Sequence, residues 1–365
     1  MLGCAHGAKN STDHNYLWFA ARHGARIRAG REVVSVRPIG GADADGSRGW
    51  LVAHEATGRR LRRRTEVIRA RGVVLAGGAL GTNELLARCR FAGDLPRMPD
   101  RVGRLIRTNS EAVLVVTVPE GRAAALSKRV AITSSIYPDP HTHIETFTYG
   151  AGGGAIRPLF TVMTGGGTRV TRPLKWVGAM LRHPRWLLEV SLKPRWSERS
   201  IGVLVMQTLD GSMDFTFKRR RLGRGVRMQT RQNPDHPNPT YIPAANAFAA
   251  WLARETGGAP GSSVPEALLS IPTTAHILGG AVIGDSPQTG VVDADHRVHG
   301  YDGLLVCDGS AVPANVGVNP SLTIAAMAER AMSRIPARPG HEPGAPLGAE
   351  PIPGRTASAT PEPLR

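Results

Sequence analysis

Apolar and polar positions change period several times along the chain. Residues 12–23, TDHNYLWFAARH, group their apolar positions at helical spacing and stop at Gly24, which predicts a helix. The following ARIRAGREVVSVR alternates and predicts one or two strands. In RGVVLAGGALGTNELLARCR, Val73–Ala76 is a short continuous apolar run. Gly77, Gly78 and Gly81 break it, and Thr82–Arg90 returns to helical spacing. This predicts one strand–glycine turn–helix unit of the α/β type, with glycines that let backbone approach a ligand and a helix start suited to an anion. From about Thr108 to Ser270 the segments EAVLVVTV, HIETFTYG, IGVLVMQTL and MDFTFKRRR alternate or run apolar at strand length, predicting a mostly antiparallel sheet. A short strand is predicted at Leu304–Cys307 and a helix from about Pro320 to Ile335. The Pro-, Gly- and Ala-rich residues 337–365 read as a disordered tail.

Composition narrows the picture only a little. The 365 residues are 41% apolar, enough for a sizeable core, and no internal repeat is visible. The formal net charge of +17 is carried almost wholly by Arg and favours anionic surfaces, yet the arginines are scattered as on a solvated surface. A nucleic-acid role would rest on charge alone, so nucleic acid is not expected as a partner. Cys4, Cys89 and Cys307 are too few and too dispersed for a disulfide framework or a zinc site; no metal is expected, and a reducing compartment fits. With no apolar run of membrane-spanning length and no apolar signal region, the chain reads as cytoplasmic.

Three stretches carry candidate chemistry. In DGSAVPANVGVNPSLTIAAMAERA, Asp308 ends a strand, where a carboxylate suits a ribityl or ribose hydroxyl. Asn319-Pro320 then opens a helix whose N-terminal N–H groups and positive dipole end suit negative charge. An ordinary capped helix packed on a sheet fits the same residues. In TAHILGG, His276 precedes Gly279 and Gly280, and an imidazole suits an alcohol that loses its proton as hydride departs; a structural histidine is the alternative. In Arg172–Trp196, RPLKWVGAMLRHPRWLLEVSLKPRW, Trp alternates with Arg and Lys on two predicted helices separated by Pro184. Such a stretch suits either peripheral contact with a bilayer surface or a surface helix pair packed on its own domain.

AHILGG, GVVDADHRVHGYDGLLVCDGS and VGVNPSLTIAAMAERA, in this order and spacing, resemble the C-terminal signature of the glucose–methanol–choline oxidoreductase family, specifically its bacterial cholesterol oxidase branch. VVLAGGALGTNELL, GCAHGAKNSTDHNYL and RTNSEA extend the resemblance from Gly3 to Ile335. It implies an α/β (α+β) fold in which residues 1–107 and 271–336 form an FAD-binding, Rossmann-like domain. Residues 108–270 would be an inserted, mostly antiparallel-sheet sterol-binding domain. It also implies FAD-dependent oxidation of a sterol 3β-hydroxyl with oxygen as acceptor. His276 and Asn319 would bracket that hydroxyl, and Glu145 of THIETF would be the carboxylate base for double-bond isomerisation. Asp308 and Gly309 would contact the ribityl–isoalloxazine region. Asn319, Pro320 and Thr323 would lie along the flavin's pyrimidine edge, with Gly77, Gly81 and Gly279 at close backbone approaches. Asn109 would line the path of oxygen or substrate.

The sequence departs from the family at one point. The family opens with a strand–GxGxxG–helix unit that holds the FAD pyrophosphate, and this sequence begins past it. GAGGGA, Gly150–Ala155, fits only the looser GxGxxA form and runs into Pro158, so it reads as a loop. The chain is therefore expected to correspond to the C-terminal two-thirds of such an enzyme. Two alternatives follow: an alcohol dehydrogenase of the family with an acceptor other than oxygen, or an inactive fragment.

Overall fold

The computed structural model describes residues 8–9, 11–58, 64–123, 126, 130–220, 225–337 and 339–340. The tail expected over 337–365 falls almost wholly outside them. The fold is mixed α/β with several separate sheets.

The predicted strand–turn–helix unit forms, with its helix longer than expected. Strand Val73–Leu75 pairs in parallel with Leu304–Val306, Val73 opposite Leu304 and Leu75 opposite Val306. The helix runs Gly78–Ala92, so Gly78 and Gly81 lie inside it and Gly77 is its N-cap. Two glycines in a first turn are poor helix formers. They are held because the first N–H groups find acceptors, Gly77 N–H donating to Thr82 Oγ1 and Gly78 N–H to Asp308 Oδ2. Gly93, in the left-handed region at φ 77°, ends the helix. Leu86 and Cys89 pack with Trp50, Leu304, Val306 and Tyr301 into one core. The outer edge of Val73–Leu75 borders an apolar groove of about 290 Å³ lined by Val33, Val36, Val74, Gly77, Gly81 and Leu85.

A three-stranded antiparallel sheet, Arg31–Pro38, Trp50–Ala56 and Thr65–Ala70, lies beside this core. The middle of the chain builds a six-stranded antiparallel sheet in the order Ile132–Asp139, Thr142–Thr148, Ser200–Gln207, Ala112–Thr117, Ala259–Ser263, Phe160–Val162. Helix Pro243–Thr256 covers one face, setting Ala245, Ala249 and Ala253 against Leu114, Val116, Val203 and Val205. Small residues on the helix let it approach the branched side chains closely. MDFTFKRRR belongs elsewhere: Met213–Arg219 pairs with Val226–Gln232 and with Arg104–Arg107, which pairs with Leu278–Gly280.

The helix predicted at 12–23 forms at Tyr16–Arg22, and the C-terminal helix spans Ser321–Ser333, one residue after Pro320. The stretch 172–196 folds as helix Thr171–Arg182, a short helix Pro184–Leu187 and a wider turn Leu188–Leu192. GAGGGA leads into a 3-10 turn, Gly153–Leu159, and opens no α-helix. No helix among the described residues is long and apolar enough to cross a membrane, and no cluster of three or more His, Cys, Asp or Glu among them is placed to hold a metal.

Candidate active site

The strand-end acid turns inward. Asp308 Oδ2 accepts from Gly78 N–H (2.9 Å) and from the Thr82 hydroxyl (2.5 Å). Its Oδ1 accepts from Ser310 N–H at 2.8 Å and from the Ser310 hydroxyl. The positive end of helix Gly78–Ala92 thus holds an anion, and that anion is the chain's own carboxylate. Gly309 lies in the buried 3-10 turn that follows.

The second element is the polar segment Thr108–Glu111, all four residues buried, between strands Arg104–Arg107 and Ala112–Thr117. Ser110 adopts φ 48°, an uncommon conformation that costs a non-glycine residue about 1–3 kcal/mol. It lets the two flanking side chains serve different partners. Asn109 Nδ2 donates to Val318 O (2.8 Å) and lies 3.4 Å from Met206 Sδ, while its Oδ1 finds no partner among the described residues. Glu111 accepts from Thr274 Oγ1 (2.9 Å), Ala275 N–H (2.7 Å) and His276 Nδ1–H (2.7 Å). A carboxylate accepts only, so the Nδ1 proton is fixed and Nε2 of His276 is left as the acceptor.

The third element is the segment before the C-terminal helix. Asn319 Nδ2 donates to both oxygens of Glu145, at 2.9 and 3.0 Å. Glu145 is buried on strand Thr142–Thr148, and its same-face neighbour His143 brings Nε2 within 3.8 Å of Oε1. The His143 ring stacks on Tyr137 with centroids 4.4 Å apart, and neither ring nitrogen is hydrogen-bonded among the described residues. Loop residues 315–318 are fastened by Asn315 Nδ2 to Gln207 O (2.7 Å) and by Asn109 to Val318 O. Asn109 and Glu111 therefore tether the His276 arm and the Asn319–Glu145 arm to one short segment.

Among the described residues no side chain caps helix Ser321–Ser333, whose N-cap is Pro320; Thr323 sits half-buried in the first turn. Gly279 and Gly280, at φ 82° and 92°, answer to internal packing: a Cβ at Gly279 would overlap the Leu105 carbonyl, and one at Gly280 would overlap the Asn83 amide. Sequence reasoning passed over Glu111, although an acid directly ahead of the buried run AVLVVTV must find partners when it folds.

Residues 242–328 match the GMC oxidoreductase family model. Over 338 residues the chain is 41% identical to a cholesterol oxidase of Acinetobacter baumannii, covering 93% of this chain and 60% of that protein. Over 342 residues it is 43% identical to a cholesterol oxidase of Mycobacterium tuberculosis, covering 92% and 58%. It thus spans about three-fifths of the curated relatives it matches. A solved FAD-dependent oxidoreductase of Chaetomium thermophilum aligns over 88% of this chain and 63% of its own at TM-score 0.47 and 15% identity. Residues 242–328 thus carry the C-terminal domain of the GMC oxidoreductases, and over more than nine-tenths of its length the chain is similar to the cholesterol oxidases.

Proposed function

We propose that the chain carries the alcohol-oxidising half-site of an FAD-dependent sterol oxidase. Residues 1–107 and 271–336 would be part of a Rossmann-like flavin domain, and 108–270 the sterol-binding part. The observation that carries the reading is Glu111 fixing His276 with Nε2 as acceptor, on the segment that also holds the Asn319–Glu145 arm. The names of the relatives support the sterol and the reaction.

The residues present fit the ring end of FAD. The uncapped helix start at Pro320–Thr323, the free Asn109 oxygen and Asn319 offer donors and acceptors suited to an isoalloxazine edge. Gly77 and Gly78 suit a pyrophosphate poorly, because their N–H groups already serve Thr82 and Asp308. When bound, FAD supplies the two-electron acceptor for the hydride and passes the electrons on to oxygen or another acceptor.

The chain's own residues handle protons and position. His276 Nε2 accepts the hydroxyl proton, and the buried Glu111 carboxylate stabilises the imidazolium that results; such acid–base help contributes about 10²–10⁴-fold. Asn319 orients the hydroxyl and, through its amide, the Glu145 carboxylate. Glu145 moves a proton between steroid carbons during isomerisation, and His143 lies beside it as the next proton acceptor.

The test is the visible spectrum of the purified chain with and without added FAD, followed by anaerobic addition of a 3β-hydroxysterol. Bleaching of bound flavin supports the reading, whereas sterol-insensitive flavin removes the substrate from it. A second reading, a chain that does not hold FAD by itself, is favoured by the engaged Gly77 and Gly78 N–H groups. A folded chain that stays colourless would establish it.

A further inference from the structure

Helix Thr171–Arg182 is turned the opposite way from an ordinary surface helix. Its inner face buries a charge: Arg172, fully enclosed, donates to Thr240 O (2.6 Å) and to Glu266 Oε1 (2.8 Å) and lies over the Tyr241 ring. Trp176 on the same side donates to Thr161 Oγ1 at 2.9 Å. The outer face carries Leu174, Val177 and Leu181, 68%, 42% and 79% exposed, with Val170 just ahead at 72%. Their spacing of four, three and four residues makes one continuous apolar stripe along the helix. Water is a poor neighbour for such a stripe, which an amphipathic surface helix would turn inward.

Charge indicates what covers it. Lys175 and Arg182 flank the stripe, and the helix contains no acid. Along the stretch Arg169, Lys175, Arg182 and Arg185 meet no acid among the described residues, whereas Lys193 and Arg199 neutralise Glu189 and Arg195 pairs with Glu198. We propose that this face rests on an anionic bilayer surface, with Leu174, Val177 and Leu181 entering the interface and the flanking cations among the headgroups. A second copy fits less well: a two-fold contact would press the same cations together, and one stripe offers far less than the ~800 Å² per partner of a stable interface. A bilayer supplies the apolar layer and the negative charge together.

The test is co-sedimentation of the full chain with vesicles of phosphatidylcholine and phosphatidylserine in equal parts, against pure phosphatidylcholine, across a salt series. The wild-type chain is expected to bind the mixed vesicles, more weakly as salt rises. The double variant Leu174→Glu/Leu181→Glu should bind at least ~10-fold more weakly. Lys175→Glu/Arg182→Glu should abolish the preference for phosphatidylserine. All four positions are exposed, so unchanged thermal unfolding is the control for folding. Wild-type binding to neither vesicle, or undiminished binding by the leucine variant, overturns the proposal. So does a wild-type dimer in sedimentation velocity that Leu174→Glu/Leu181→Glu dissociates, which would assign the face to a second copy.

Discussion

His276 Nδ1 lies 2.7 Å from the carboxylate of Glu111, a side chain with no exposed surface, and no other partner among the described residues competes for that ring nitrogen. Because Glu111 also holds Thr274 and Ala275, it fixes the backbone on which the imidazole stands as well as the ring. On the proposed function, replacing Glu111 with Gln is expected to lower the rate of flavin reduction by sterol on the order of 10²-fold. Stopped-flow reduction at saturating sterol checks this, and an unchanged rate in the folded variant would assign Glu111 to folding alone.

On the proposed function, Glu145 and Asn319 would separate the two half-reactions. Glu145→Gln keeps the shape but loses the proposed base, so the unconjugated ketone should accumulate while hydrogen peroxide or dye reduction continues. Asn319→Leu removes the donor to Glu145 and should impair both steps. The ultraviolet absorbance of the conjugated product, followed beside acceptor reduction, distinguishes these outcomes.

Arg172 and Glu266 form a buried ion pair at 2.8 Å. Burial pushes the Glu266 carboxyl above the usual carboxylate range, outweighing the bond and charge from Arg172. A raised folded-state value means that the folded chain keeps a proton the unfolded chain has lost. This contribution is therefore full below the unfolded value and declines as pH rises through the folded one. Arg172→Met leaves an unpaired buried acid and should cost about 3–5 kcal/mol. The loss should be smaller at mildly acid pH than at neutral pH, as denaturant unfolding at both values would reveal.

Burial raises the Cys89 thiol to about 12, and burial together with the Asp308 charge raises Cys307 to about 11. Neither forms useful thiolate at pH 8, so both should resist alkylation in the folded chain and react at once when it is unfolded. Peptide mapping after timed iodoacetamide treatment gives the answer, and rapid native labelling of either would contradict the packing.

Gly279→Ala and Gly280→Ala each combine a left-handed backbone with overlap, against the Leu105 carbonyl and the Asn83 amide respectively. Each should destabilise by at least ~2 kcal/mol. Loss of stability without any change in added-FAD affinity would show that the pair serves packing.

The strands were legible in sequence because buried strands announce themselves: VVL, AVLVVT and SIGVLVMQ are apolar runs whose burial leaves little else to form. The start of helix Gly78–Ala92 was not, since Gly78 and Gly81 carry a turn signal locally and are overruled by Asp308, far along the chain. His276, Asn319 and Glu145 stood out by residue type and by family resemblance. Glu111 did not, because its importance lies in a partner 165 positions away. Asp308 was noticed for its place at a strand end, yet its preference for Gly78 and Thr82 over an open site depends on a fold no local pattern encodes.

The Asp308 clamp also sets an order of events. Its partner Gly78 lies 230 positions earlier, and the parallel ladder beside it joins the same distant regions. During synthesis the glycine-rich helix start emerges long before any acid exists to cap it, and the apolar strand at Val73–Leu75 waits unpaired on that side. Non-local pairing of this kind is slow and leaves sticky edges exposed meanwhile. Leu304–Asp308 thus acts as a late fastener: a ribosome that stalls before it releases a chain with its core strand open, prone to aggregate and a natural target for chaperones.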